Sequence, residues 1–215
     1  MKDLDLHGIT FMRPVREGTD EWYYAMDYDN GDLFEAQEIY EYQNGHLVDG
    51  NHLLLIHYSD GEVIEPVSSR KNMAIGEPVY FDQKISFVMV DFDEREIRIH
   101  QFDCVKREVK GLAVFPLSVV DDCFNLRLFE HPLTLSRQPN NGTLELIWPK
   151  KKTIRIGEKE SFFYRENERL YFNTWYEDPE FREETVVRDA RTGKVIETLP
   201  GDIHIMPNGE LWHLH

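Results

Sequence analysis

Two heptapeptides far apart in the chain, SDGEVIE at 59–65 and RTGKVIE at 191–197, end on the same Gly-x-Val-Ile-Glu pattern. A glycine that accepts positive φ closes a tight turn, and the β-branched pair after it favours an extended strand, so each copy predicts the return arm of a hairpin. A second echo joins IGEPVYF at 75–81 to IGEKESFF at 156–163, and each copy runs into an aromatic-rich strand, KISFVMVDF in one case and RLYFNTWYE in the other. The first pair lies about 132 positions apart and the second about 81, offsets that are three and two multiples of one period of roughly 41 to 44 residues. About five such periods fill the chain.

Turn signals separate short β-rich segments throughout. Asn30-Gly31, Asn44-Gly45, Asp49-Gly50, Asp60-Gly61, Asn141-Gly142, Thr192-Gly193 and Asn208-Gly209 punctuate the sequence, with EIRIHQF, FNLRLF, TLELIW, ETVVRD, DIHIM and ELWHLH between them. A period near 42 residues with about four strands is the signature of a propeller blade, because one four-stranded sheet cannot bury both faces until neighbours pack on it. In period and turn chemistry the chain resembles compact five-bladed β-propellers. The resemblance implies an all-β fold, a single domain over 1–215, five blades of about four strands, and a last blade completed from both chain ends. That blade would add strands from GITFMRPV and EWYYAMDY to the C-terminal hairpin in GDIHIMPNGELWHLH. The third period, around 119–158, matches poorly, and a β-sandwich or open barrel is the competing architecture. One segment, DLFEAQEIYEY at 32–42, is rich in helix formers and places Leu33, Ala36, Ile39 and Tyr40 near one face, so a helical insert competes with a strand there.

The formal net charge of −16 is concentrated in one stretch of the chain. Between Arg16 and Arg70 there is no Lys or Arg, while thirteen acidic residues from Glu17 to Glu65 carry thirteen of the sixteen excess charges. Such a field attracts basic surfaces and repels nucleic-acid phosphates. The basic stretch WPKKKTIRIG at 148–157 reads as protection of a strand edge. No apolar run is long enough to span a membrane as a helix, and the N-terminal decapeptide lacks a secretory pattern, so a cytoplasmic protein is expected. Cys104 and Cys123 have no metal-ligand spacing and are expected as reduced thiols.

Motif chemistry excludes more than it assigns. There is no Gly-x-Ser-x-Gly elbow and no phosphate-cradling Gly-rich loop. DYDNGDLFEAQE at 27–38 places Asp27, Asp29 and Glu38 as a calcium loop would, but Gly31 and Asp32 stand in the wrong positions, which favours an acidic turn or a helix start at Asp32. His204, His213 and His215 gather near the C-terminus without a completing carboxylate or cysteine, and no metal or other cofactor is expected. Asp91, Asp93, Asp103, Asp121 and Asp122 could supply the paired carboxylates of a carbohydrate-active propeller. Trp22, Tyr23, Trp175 and Tyr176 are candidate binding aromatics, with core packing between blades as the competing role. The leading expectation is a non-enzymatic module that engages a basic protein partner through Asp27, Asp29, Asp32 and Glu35 together with those aromatics. A carbohydrate-binding or carbohydrate-active propeller is the alternative.

Overall fold

In a computed structural model the described residues are 1–15, 19–27, 31–42, 49–206 and 208–215. They fall into two compact units, 1–123 and 124–215. The first unit opens with strands β1 (Arg13–Pro14) and β2 (Trp22–Met26), then helix α1 (Leu33–Tyr42), then β3 (Leu53–His57) and β4 (Val63–Ile64). These four strands form one antiparallel sheet in the order β1-β2-β3-β4. The second sheet contains β5 (Met73–Ile75), β6 (Val79–Phe81), β7 (Lys84–Asp91), β8 (Glu96–Asp103) and β9 (Glu108–Pro116). β5 and β6 both pair with β7 and act as one first strand broken around Pro78, which has no N–H to give to a ladder.

The second unit repeats this plan. β10 (Arg127–Glu130), β11 (Leu133–Arg137), β12 (Thr143–Trp148) and β13 (Lys152–Arg155) make the third sheet, and β14 (Ser161–Glu166), β15 (Arg169–Tyr176), β16 (Arg182–Asp189) and β17 (Val195–Pro200) make the fourth. A final hairpin joins β18 (Asp202–Ile205) to β19 (Leu211–Leu214). Every sheet is an up-and-down meander in sequence order, which is the topology of a propeller blade.

The architecture is therefore all-β and propeller-like, with four blade-like sheets where the period predicts five. β1 and β2, expected to complete a last blade, pair within the first sheet instead, and among the described residues β18 and β19 pair only with each other. The miscount arises because the first repeat carries α1 as an insert between its second and third strands, so chain length overstates the number of sheets. The period itself holds. Gly61 (φ +78°) sits between the third and fourth strands of the first sheet, and Gly193 (φ +74°) sits between the same strands of the fourth. The second echo aligns β6 and β7 with β14 and β15, the first and second strands of the second and fourth sheets.

Packing follows the blade plan within each unit. Trp22, Tyr24, Leu53 and Leu55 from the first sheet meet Ile75, Ile85, Phe87 and Phe102 from the second in one buried cluster. Phe129, Leu144 and Ile154 of the third sheet pack likewise on Phe162, Leu170 and Phe172 of the fourth. The far face of the first sheet, with Ala25, Leu54 and Ile56, is covered by Leu4, Leu6 and Ile9, and that of the fourth by the terminal hairpin through Ile203, Ile205 and Leu211. The fourth strands β9 and β17 are largely exposed, as expected for the outer edge of a blade. Among the described residues no helix is long and apolar enough to cross a membrane.

Candidate functional site

The acidic part of the chain folds into the first sheet and α1. Asp32 caps the helix: its Oδ1 accepts bonds from the N–H groups of Phe34 (2.9 Å) and Glu35 (3.2 Å). Leu33 and Ala36 bury the inner face, and Tyr40 stacks on Phe92 with ring centroids 5.1 Å apart. The outer face carries Glu35, Glu38 and Glu41, three residues apart and all exposed. The last turn has no basic residue, so Glu38 and Glu41 lie toward the negative end of the helix dipole, an arrangement that costs a few tenths of a kcal/mol in stability. Gln37 offsets part of this cost by donating Nε2–H to Glu41 (2.7 Å), while its Oε1 accepts the N–H of Cys123 (2.7 Å).

At the opposite end of the first sheet, Glu21, Tyr58, Asp60 and Glu62 are exposed around the β3–β4 turn. The N–H of Tyr58 donates to the Glu21 carbonyl (2.7 Å), which sets the two segments side by side. The Glu62 N–H and the His57 ring hold the Asp60 carboxyl below its ordinary range, so it is ionised at neutral pH. Arg107, from the second sheet, lies 3.3 Å from Glu62 and stacks over the Trp22 ring at 4.6 Å.

The individual candidates divide between structural and exposed roles. Trp22 is 2% exposed and belongs to the core between the first two sheets. Tyr23, on the other face of β2, is half-buried beside Tyr58, 6.1 Å between centroids. Asp27 accepts the backbone N–H of His52 (2.5 Å). Asp29 lies outside the described residues. Asp32 is the helix cap and Glu35 an exposed residue of α1. Of the calcium-loop positions, Asp27 accepts a backbone N–H, Asp29 is outside the described residues, and Glu38 is on the exposed face of α1. Trp175 is 54% exposed, and Tyr176, its neighbour in β15, has the Arg182 guanidinium 4.0 Å and the Lys159 ammonium 4.7 Å from its ring centroid. Consecutive strand residues point to opposite faces, so these two rings form no common platform.

Three of the candidate carboxylates, Asp91, Asp93 and Asp103, serve turns and ion pairs. Asp91 is bound by Arg70 (3.0 Å) and by the N–H of Glu94, Asp93 accepts from Asn72, and Asp103 accepts from the N–H groups of Val105 and Lys106. Asp91 pairs with Glu96 at one end of the β7–β8 ladder and Asp103 with Lys84 at the other, a separation of about 23 Å at the usual rise per residue. Glycosidic acid pairs need less than about 10 Å.

Among the described residues one group of metal-ligand side chains converges: His7, His52 and Glu65, whose ligand atoms all lie within 4.8 Å of one another. These residues are remote in sequence and follow no ligand spacing; only the lining of the first sheet by the N-terminal segment unites them. At the C-terminus His213 and His215 stack at 4.8 Å, but His204 pairs across the hairpin with Trp212 and so faces the other side. Cys104 and Cys123 are not joined in a disulfide, and burial pushes the Cys104 thiol up to about 12. No protein-family model matches the chain, and no curated protein matches it.

Proposed function

We propose that the protein is a non-enzymatic binding module that docks a basic protein partner through the acidic surface of its first unit. The observation that carries this reading is the exposed Glu35–Glu38–Glu41 face of α1, of which Glu38 and Glu41 lie toward the negative end of the helix dipole, in a segment that holds no Lys or Arg. Acids that lower the stability of their own helix are better explained by an external positive charge than by the fold. Tyr42 and Tyr58 are exposed beside acidic residues and offer aromatic anchors of the kind that dominate protein interfaces.

The test is a pull-down from lysate of the source organism at two salt concentrations. Exposed charges are screened beyond about 8 Å at physiological ionic strength, so a basic partner retained at low salt should be lost at high salt. Glu38→Lys should also abolish retention. Because a cation at this end of the helix favours the dipole, the same variant should keep or raise Tm, which separates lost docking from misfolding. Retention that ignores both salt and Glu38→Lys overturns the reading.

A further inference from the structure

We propose that His7, His52 and Glu65 bind a zinc-class divalent transition-metal ion on the outer face of the first sheet. The site is independent of the acidic docking surface proposed above, since it uses different residues and a different ligand. Three separate segments present the three side chains, and each segment is anchored.

His7 stands in a two-residue turn with φ +54°, followed by Gly8 at φ +87°, and the turn is closed by the Ile9 N–H on the Leu6 carbonyl (2.9 Å). Positive φ at both central positions is the type I′ geometry. The side chain of Asp5 accepts the His7 N–H (3.0 Å). The flanking Leu6 and Ile9 pack on Ala25, Leu54 and Ile56, which fixes the turn against the sheet. His52 directly precedes β3; its N–H is held by Asp27, and its neighbour Asn51 is buried and bonded in both directions to the Ile75 backbone. Glu65 directly follows β4. Leu55 opposes Ile64 in the β3–β4 ladder, so His52 and Glu65 are directed to the same face as Leu54, the face on which residues 4–9 lie.

The chemistry fits a borderline ion. Two imidazoles and one carboxylate are a common zinc donor set, and three protein ligands leave a position for water. The His52 Nδ1 is 2.8 Å from the Glu65 carboxylate, and the His7 and His52 rings meet edge to face at 5.6 Å. Metal–nitrogen bonds near 2.0 Å in a tetrahedral shell place ligand atoms about 3.3 Å apart. The ligand atoms lie within 4.8 Å of one another, and His7, the exposed member on its turn, is the side chain free of the sheet that would close that spread. Asp5 and Asp27, bonded to the backbones of His7 and His52, add negative charge that favours a cation.

The experiment is calorimetric titration of the purified full chain with Zn²⁺, paired with Tm measured with and without the ion. The expected result is one equivalent bound and a Tm that rises with Zn²⁺. His7→Asn keeps a residue that tolerates positive φ and should weaken binding at least about tenfold; His52→Ala and Glu65→Gln should do the same. The double variant His213→Ala/His215→Ala should titrate like the original chain. Absence of binding, binding unaffected by His7→Asn and Glu65→Gln, or binding lost only with the C-terminal histidines each overturns the proposal. His7 lies on an exposed turn, so His7→Asn remains informative should His52→Ala fail to fold.

Discussion

Arg188 holds the Glu160 carboxylate in two bonds, Nη2 to Oε1 at 2.6 Å and Nε to Oε2 at 2.7 Å, with the side chains only 14% and 8% exposed. The pair ties the segment before β14 to β16, and the same guanidinium donates Nη1–H to the carbonyl of Gly193 (2.7 Å). A bidentate pair withdrawn from water is costly to break from one side, because the remaining charge stays buried. Glu160→Gln should destabilise the protein by about 3 to 5 kcal/mol. In a double-mutant cycle with Arg188→Met, urea unfolding should give a coupling energy on the order of 2 to 3 kcal/mol. A cycle that adds without coupling would show the pair to be inert.

A turn of one design closes the third and fourth strands of three of the four sheets. The N–H of Gly61 reaches the His57 carbonyl, that of Arg107 the Asp103 carbonyl and that of Gly193 the Asp189 carbonyl, at 2.8 to 2.9 Å. All three donors have positive φ, and Arg107 does so at +58° with a full side chain. Gly61→Ala and Gly193→Ala should each cost about 1 to 2 kcal/mol, since an added Cβ is strained there. At position 107 the order of variants is the informative readout: Arg107→Ala loses the contact with Trp22 and keeps the strain, whereas Arg107→Gly loses the contact and relieves it. Arg107→Gly should therefore be more stable than Arg107→Ala by about 1 kcal/mol in thermal or urea unfolding.

Histidine burial gives the stability a pH dependence. Burial, and secondarily the Arg98 charge, lowers the pKa of His100; burial also lowers that of His131, against the opposing pull of Glu166. The folded groups take up protons less readily than the unfolded chain. Their contribution is complete above the unfolded value near 6.5 and is lost as pH falls from there through the folded values. Tm should decline on acidification below about pH 6.5. His100 stacks on Phe87 at 5.5 Å, and its Nε2 is buried without a hydrogen-bond partner among the described residues. His100→Phe should keep the stacking and flatten the decline; an unchanged slope would refute the assignment.

Asp32 offers a local test of the helix. Asp32→Ala removes the cap and should cost about 1 kcal/mol, while Asp32→Asn should be nearly neutral. Faster hydrogen exchange at the amides of α1, with the strand amides unchanged, would locate the effect.

Much of this architecture was legible in the letters. The echo between SDGEVIE and RTGKVIE marks the same turn of two equivalent sheets, because a glycine at positive φ and a β-branched strand are local requirements that leave a local trace. The third copy was hidden: DCVKRE at 103–108 makes the same turn, but Arg107 stands where the glycine would be, and its stacking on Trp22 and pairing with Glu62 supply a reason that spacing cannot reveal. The acidic stretch was equally plain, although its division between a helix face and a turn was not.

The sequence by itself determined the strand-and-turn grammar, the blade-sized repeat and the sign and location of the charge, since each depends on neighbours within a few residues. Tertiary structure alone decided that four blade-like sheets form among the described residues rather than five, that Trp22 is core while Trp175 is exposed, and that His7, His52 and Glu65 meet. Those outcomes depend on which distant segments pair and pack, and the free energy that selects the pairing is spread over whole sheet faces rather than written in any one segment.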